Sequence, residues 1–272
     1  MSNLWERRLG TIRVVALAAV LAVLVTVRLR SPTHSPPVPV INIAAASDLR
    51  FALDELTDIY RKNVAKVAFR VSYGSSGTLY TQVLNGAPFN LFLSADVDYP
   101  RRLANSGRTV PGTEFTYGIG RLVVWVPASS GLDIDRLGLR IVVDPRVAHV
   151  AIANPAHAPY GRAAEAAMQA VQVYGTAKQK LVLGENVSQA MQFVQSGAAE
   201  VGIVALSLAV GPTAKDAGRF VPVPPELYPR LEQSGVVLAS PGAEAARAFR
   251  SYLLGDAARA VLERYGFSRS GT

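Results

Sequence analysis

From residue 40 onward, short apolar runs alternate along the chain with stretches of helical pattern. The first runs are VINIAAA, VAFRVSY and FNLFLSA, and helical patterns follow them at 48–63, 76–86 and 97–106. Apolar, β-branched runs that alternate with helices are typical of a mostly parallel sheet with helices on its faces. This feature predicts an α/β fold.

The alternation continues through the rest of the chain. Further strands are predicted at 122–127, 150–154, 181–184, 201–206, 219–224 and 235–240, and further helices at 160–173, 187–196, 242–254 and 256–265. About 230 residues is large for one open sheet. The segment Gly118-Ile119-Gly120 falls between two strand-like runs near the middle. We therefore predict two α/β lobes joined by crossovers.

The amino terminus carries a different pattern. An uncharged apolar run at 14–27 follows Arg7, Arg8 and Arg13. This is the order of a secretory signal, and the run is shorter than the roughly 20 residues of a membrane span. We predict residues 1–30 to be a cleaved signal peptide, with an uncleaved membrane anchor as the alternative. The Pro-rich residues 31–40 then form an extended linker, and the domain lies in the periplasm or otherwise outside the cytoplasm.

Composition excludes several classes of protein. The chain has no cysteine, so disulfide scaffolds, thiolate zinc sites and cysteine nucleophiles are ruled out. About half of the net charge of +8 lies in the first 40 residues, and no Lys/Arg run follows. Nucleic-acid binders usually concentrate basic residues on one helix or stripe, so no nucleic-acid partner is predicted. Two histidines in the folded part, without clustered carboxylates, give no recognisable metal-ligand set.

Four junctions between a predicted strand and a predicted helix are rich in small and hydroxyl residues. They are 44–48 (AAASD), 73–78 (YGSSGT), 154–161 (NPAHAPYG) and 184–188 (GENVS). The first N–H groups of a helix have no intrahelical acceptor, and with the positive end of the helix dipole they form an anion site. Several such ends in one cleft could bind a small dianion through neutral donors. The junctions predict an oxyanion site.

Each junction also has an ordinary structural interpretation. Ser47 and Asn186 are placed to act as plain helix N-caps. The turn at 74–77 can be explained by its glycines alone, and Tyr160 can be an aromatic residue that packs in the core. These interpretations stay open at this point.

An enzyme is the competing class of function. A hydrolase acting on small phosphate or acyl esters could use Ser76 with His157. However, the GSSG turn lacks the spacing of a nucleophile elbow, and no nucleotide P-loop is present. His149 precedes a strand and His157 lies in a polar loop, so both are expected at the surface.

Taken in order, the four junctions resemble those of the periplasmic molybdate-binding proteins of ABC transporters, the ModA family. The matching segments are INIAAASDLRFALDEL, VSYGSSGTLYTQVLNGAPFNLFLSADVDY, VAIANPAHAPYGRAAEAAM, GENVSQAMQFVQSGAAEVGIV and YLLGDAARAVLERYGF. The resemblance implies a two-lobed type II periplasmic-binding-protein fold, with one lobe from 41–119 and 233–272 and the other from 120–232. It also implies a monomeric receptor, neither an enzyme nor a cofactor protein, that delivers molybdate or tungstate to an inner-membrane permease. Another oxyanion, such as sulfate, remains an alternative.

The resemblance also implies which residues contact the oxyanion. By motif they are Ser47, Asp48, Ser76, Tyr160 and Val187. Asp48 and Val187 act through their main-chain N–H groups, and none of the five is a direct metal ligand. Many relatives end the GIV strand with a tyrosine donor, where this chain has Ala205. The APYG sequence of the third junction offers Tyr160 as the substitute phenol.

Overall fold

A computed structural model describes residues 38–269 of the chain. The predicted signal or anchor, 1–30, and residues 31–37 of the predicted linker lie outside the described residues. Within 38–269, no helix combines the length and the apolar character that crossing a membrane requires.

Ten strands are found in the described part of the chain. They are β1 Val40–Ala46, β2 Ala68–Gly74, β3 Leu91–Ser94, β4 Phe115–Gly120, β5 Leu122–Pro127, β6 Val150–Ala153, β7 Leu181–Gly184, β8 Val201–Ala205, β9 Gly218–Pro222 and β10 Leu231–Val237.

The α-helices of the same residues are α1 Arg50–Asn63, α2 Ser76–Leu84, α3 Asp98–Asn105, α4 Ile134–Leu137, α5 Pro159–Ala170, α6 Tyr174–Ala177, α7 Val187–Gln195, α8 Leu206–Ala209, α9 Ala243–Leu253 and α10 Asp256–Arg264. A 3-10 turn, Ser47–Leu49, precedes α1.

The strands form two five-stranded sheets with the same topology. The first has the order β2-β1-β3-β10-β4, and the second has the order β7-β6-β8-β5-β9. Within each sheet three neighbouring strands are parallel, and one strand is antiparallel to both of its neighbours. The predicted α/β fold with two lobes is confirmed. We call each sheet, together with its helices, a lobe.

The helices bury one apolar stripe each against a sheet. In α1 the buried residues Ala52, Leu53, Leu56 and Tyr60 recur at helical spacing, and they join the core of the first lobe. The core of the second lobe is built around Trp125 of β5. Burial of this apolar surface is the main stabilising contribution to the lobes.

Two elements differ from the sequence-based expectation. Phe115–Gly120 forms β4, where only a boundary between runs was predicted. The last strand begins at Leu231 rather than at 235, and its residues Gln233 and Ser234 are buried although they are polar. Neither segment has a continuous apolar run. Both can still form strands, because their polar side chains are hydrogen-bonded inside the protein. A sequence pattern cannot show such hydrogen bonds.

Candidate functional site

The first junction follows β1 directly. Ser47 and Asp48 are almost fully buried and begin the 3-10 turn before α1. The interpretation of Ser47 as a plain N-cap is wrong, because its side chain caps neither the turn nor α1. Instead, the Ser47 Oγ lies 3.4 Å from the main-chain N of Ser188 in the other lobe.

The second junction places Ser76 at the first position of α2. The preceding residue, Ser75, is the N-cap, and its Oγ accepts a hydrogen bond from the N–H of Thr78. The N–H of Gly77 donates to the carbonyl of His157 at 3.0 Å. The N–H of Ser76 is therefore the first-turn donor left for a ligand. The Ser76 Oγ itself accepts from the N–H of Ala95 at 2.9 Å.

The fourth junction has the same design in the second lobe. Asn186 is the N-cap of α7, as one interpretation of the sequence expected, and its Oδ1 accepts from the N–H groups of Ser188 and Gln189. The cap satisfies the second and third amides of the helix. It leaves the N–H of Val187, the first, without an intrahelical acceptor.

Loss of this cap provides a first prediction. Asn186→Ala is expected to reduce the free energy of unfolding by about 1 kcal/mol and also to weaken ligand binding, because the first turn of α7 loses its support. Chemical denaturation and ligand titration measure the two effects. The matched control is Asp133→Ala, which removes the side-chain cap of α4 and is expected to lower stability alone. Equal binding by both variants would contradict the role given to the α7 amide.

The third junction brings Tyr160 into the first turn of α5, just after Pro159. A Cβ on Gly161 would lie 2.2 Å from the carbonyl oxygen of Ala153, so only glycine lets α5 begin this close to the end of β6. Tyr160 is 2% exposed and packs with the core of the second lobe. The core interpretation of this residue is thus correct for its ring.

One small cavity collects these junctions. The residues that line it include all five predicted contacts: Ser47, Asp48, Ser76, Tyr160 and Val187. Larger cavities elsewhere in the described chain contain none of the five. No Lys, Arg or His is among the described residues that line it. The hydrogen-bond donors among the lining residues are main-chain amides and hydroxyls, and donors of this kind can bind an oxyanion without a cation.

Asp48 supplies more than a main-chain amide. Its Oδ2 accepts hydrogen bonds from the phenol of Tyr160 at 3.0 Å and from the Nε2 of Gln233 at 2.7 Å. Its Oδ1 is buried and has no hydrogen-bond partner among the described residues. Burial raises the pKa of the Asp48 carboxyl to about 6, against the opposing effect of the bonds from Gln233 and Tyr160. A residue that lines the cavity thus carries a titratable carboxyl.

Gln233 supports Asp48 directly, and Tyr117 supports it through Gln233; neither residue was found from the sequence. Gln233 of β10 is fully buried, and its Oε1 accepts from the phenol of Tyr117, which leaves its Nε2 to face Asp48. A Cβ on Gly120 would lie 2.2 Å from the Tyr160 Oη, so glycine is needed there. The glycines of the segment 118–120, which the sequence predicts to lie near the boundary between the lobes, are the sequence signal for this contact.

A second set of contacts joins the lobes beside the cavity. The Nδ1 of His157 lies 2.8 Å from the Ser75 Oγ, and its Nε2 lies 3.5 Å from Glu185. Arg162 pairs with Asp96 at 2.6 Å. His157 is only half-buried, with 24% of its side chain exposed, so the surface expectation holds for it in part, whereas His149 is exposed as expected. The hydrolase pairing of Ser76 with His157 is wrong, because His157 contacts Ser75.

The described residues contain no candidate metal site. Among residues 38–269, no group of three or more His, Cys, Asp or Glu side chains could hold a metal ion.

Comparisons with known proteins agree with this fold. The family model described as bacterial extracellular solute-binding protein matches residues 41–268. The chain is 41% identical to the molybdate-binding protein ModA of Rhodobacter capsulatus, over 72% of this chain and 75% of the relative. It is 36% identical to ModA of Azotobacter vinelandii, over 84% and 89%. A solved structure of the Azotobacter vinelandii periplasmic molybdate-binding protein superposes with a TM-score of 0.79 at 33% identity, covering 85% of this chain and 99% of that one.

Two lobes with matching sheets and a cavity of neutral donors between helix starts define a bacterial extracellular solute-binding protein. Such a protein binds and transfers its ligand unchanged, so it is not an enzyme and the ligand is not a cofactor. Within this class, the chain belongs to the ModA family of periplasmic binding proteins.

Proposed function

We propose that this protein is the solute-binding component of an ABC transporter for molybdate, and that it holds the oxyanion in the cavity between its lobes. The observation that carries the proposal is the meeting of Ser47, Asp48, Ser76, Tyr160 and Val187 at one small cavity in a chain of the ModA family. Ser47, Asp48 and Ser76 come from the first lobe, and Tyr160 and Val187 from the second. An ion that touches both sets stabilises the closed arrangement of the lobes.

The chemistry of the donors supports a fully ionised oxyanion. The free N–H groups of Ser76 and Val187 lie at the positive ends of α2 and α7, each nine residues long. Helix starts of this kind attract a dianion without a neighbouring cation. Donors at fixed positions favour ions of one size, so a larger tetrahedral ion such as molybdate can be separated from sulfate. Tungstate has nearly the same size and charge, and we propose that it binds as well.

Calorimetric titration of the protein tests this function. We expect saturable binding of molybdate and tungstate with one ion per chain, and much weaker binding of sulfate. Heat from sulfate or phosphate, with none from molybdate, would contradict the proposed ligand.

The transport role extends the proposal beyond the cavity. We propose that the monomer is exported by the amino-terminal segment, acts in the periplasm, either free or anchored, and delivers its ion to an inner-membrane permease. Mass spectrometry of the mature amino terminus distinguishes a cleaved signal from an anchor. Uptake of molybdate by cells that lack the gene, compared with wild-type cells, tests the transport step.

Removal of the Tyr160 phenol supplies a further prediction. Tyr160→Phe is expected to weaken molybdate binding by about 0.5 to 1.5 kcal/mol, because one hydrogen bond at the cavity is lost. Calorimetry measures the change. The control is Tyr265→Phe, which removes a phenol bonded to Glu55 outside the cavity and is expected to leave affinity unchanged. Equal affinities for wild type and Tyr160→Phe would show that the phenol does not contribute.

A further inference from the structure

The contacts of Asp48 conflict with the binding of a dianion if its carboxyl is ionised. The carboxyl belongs to a residue that lines the cavity, it is buried against Tyr160, which lines the same cavity, and within the described residues it forms no ion pair. Like charges brought together away from water repel strongly. A dianion and an ionised Asp48 therefore do not share this cavity without a large loss of affinity.

A second conflict concerns the single proton of Tyr160. In the structure this phenol donates to the Asp48 Oδ2 at 3.0 Å. One O–H group cannot donate to the carboxylate and to the oxyanion at the same time. An ionised Asp48 therefore also withholds the donor that replaces the tyrosine missing at Ala205.

One proton on Asp48 removes both conflicts. We propose that Asp48 takes up a proton when the oxyanion binds, so that the neutral carboxyl donates to the Tyr160 oxygen and the phenol donates to the ligand. The proton comes from the solvent, and no covalent bond other than O–H changes. This inference rests on the proposed function, and it makes Asp48 a determinant of affinity through its side chain as well as its amide.

The surroundings of Asp48 leave it as the group that titrates. Tyr160 of α5 and Tyr117 of β4 face it, and burial raises the pKa of both phenols well above the ordinary value. Gln233 of β10 donates to the Asp48 carboxyl, and the Ser207 Oγ of α8 donates to the main-chain carbonyl of Asp48. Neither side chain titrates.

Charged groups on the neighbouring segments are engaged elsewhere. Arg50, two residues along from Asp48, lies over the ring of Tyr73 at 5.1 Å. His157 before α5 and Glu185 before α7 face each other at 3.5 Å. The buried carboxyl, with its pKa near 6, is thus left to exchange its proton with solvent when the ligand arrives.

Calorimetry in buffers of different ionisation enthalpy counts the protons that molybdate binding takes up. Molybdate stays a dianion between about pH 7 and pH 9, so we expect wild type to take up as much as one proton and to lose up to tenfold in affinity per pH unit. Asp48→Asn is expected to take up none, to bind independently of pH, and to bind more tightly than wild type at the upper end of that range. The control Asp54→Asn changes a carboxylate bonded to Tyr73 outside the cavity, and it is expected to keep the wild-type proton uptake.

The outcomes separate this inference from the proposed function. Wild-type protein that binds molybdate without proton uptake overturns the inference, whether or not Asp48→Asn folds. Equal uptake by Asp48→Asn and wild type overturns it too. Tight binding of phosphate that Asp48→Asn abolishes would make Asp48 an acceptor for a proton on the ligand, which is the opposite role. Failure of both proteins to bind molybdate removes the proposed function and the inference with it.

Discussion

Gly77→Ala is expected to weaken molybdate binding by about tenfold to a hundredfold without lowering the stability of the unliganded protein. Gly77 lies in the first turn of α2, where its N–H donates to the carbonyl of His157 in the second lobe. A Cβ there would lie 2.7 Å from the carbonyl oxygen of His157 in the second lobe and 2.9 Å from the phenol of Tyr99. The closed lobes would have to separate, and overpacking of this kind costs about 1 to 3 kcal/mol.

The clash with the His157 carbonyl is absent when the lobes are apart. The Tyr99 phenol lies in the same lobe as Gly77, but it is the end of a flexible side chain and can turn away. Alanine is also a better helix former than glycine. We therefore expect an unchanged or slightly raised melting temperature without ligand, together with the loss of affinity. The matched control is Gly175→Ala, at a helical glycine whose added Cβ meets no atom within 4 Å. Wild-type affinity in Gly77→Ala would show that the ligand does not require the lobe contact seen between Gly77 and His157.

The second large effect is the pH dependence of stability that Asp48 introduces. Burial raises its pKa from 3.8 to about 6 in the folded protein, while the unfolded chain keeps the ordinary value. The folded state therefore binds the proton more tightly, and the free energy of unfolding falls as pH rises from about 4 to about 6. Two pKa units correspond to about 3 kcal/mol, and this loss persists at neutral pH.

Asp48→Asn removes this titration. The stability of the variant minus that of wild type is expected to rise by about 3 kcal/mol between pH 4 and pH 7, as measured by denaturant unfolding without ligand. Taking the difference cancels the other titrating groups. Asp133→Asn provides a control in which the same stability difference is expected to fall, not rise, with pH. The reason is that hydrogen bonds from Arg136 lower the pKa of that exposed carboxyl. A difference for Asp48→Asn that does not change with pH would contradict the raised pKa.

Much of the fold was predictable because each strand or helix carries its own pattern. The apolar run of β1 and the helical spacing of Leu53 and Leu56 in α1 are local signals, and the structure confirms both elements. The polar strand β10 was placed four residues late. Its Gln233 is buried only because Tyr117 and Asp48, both distant in sequence, satisfy its amide.

The candidate site was predictable to a similar depth. Small and hydroxyl residues at the ends of strands marked all the junctions, and the resemblance to a family selected one residue in each. The contact of Ser75 with His157 and the pairing of Arg162 with Asp96 were missed, because each joins residues more than 60 positions apart. The sequences of the four junctions do not indicate which of their side chains contact the other lobe.

By itself the sequence determined the alternating elements, the family and the neutral character of the donors, since these depend on residue type and on spacing along the chain. Only the tertiary structure decided that Ser47 is not a cap, that Tyr160 donates to Asp48, and that this carboxyl is buried with one oxygen unpaired. Hydrogen bonding and burial depend on the distance between atoms in space. Packing of two lobes brings together groups that the chain keeps far apart.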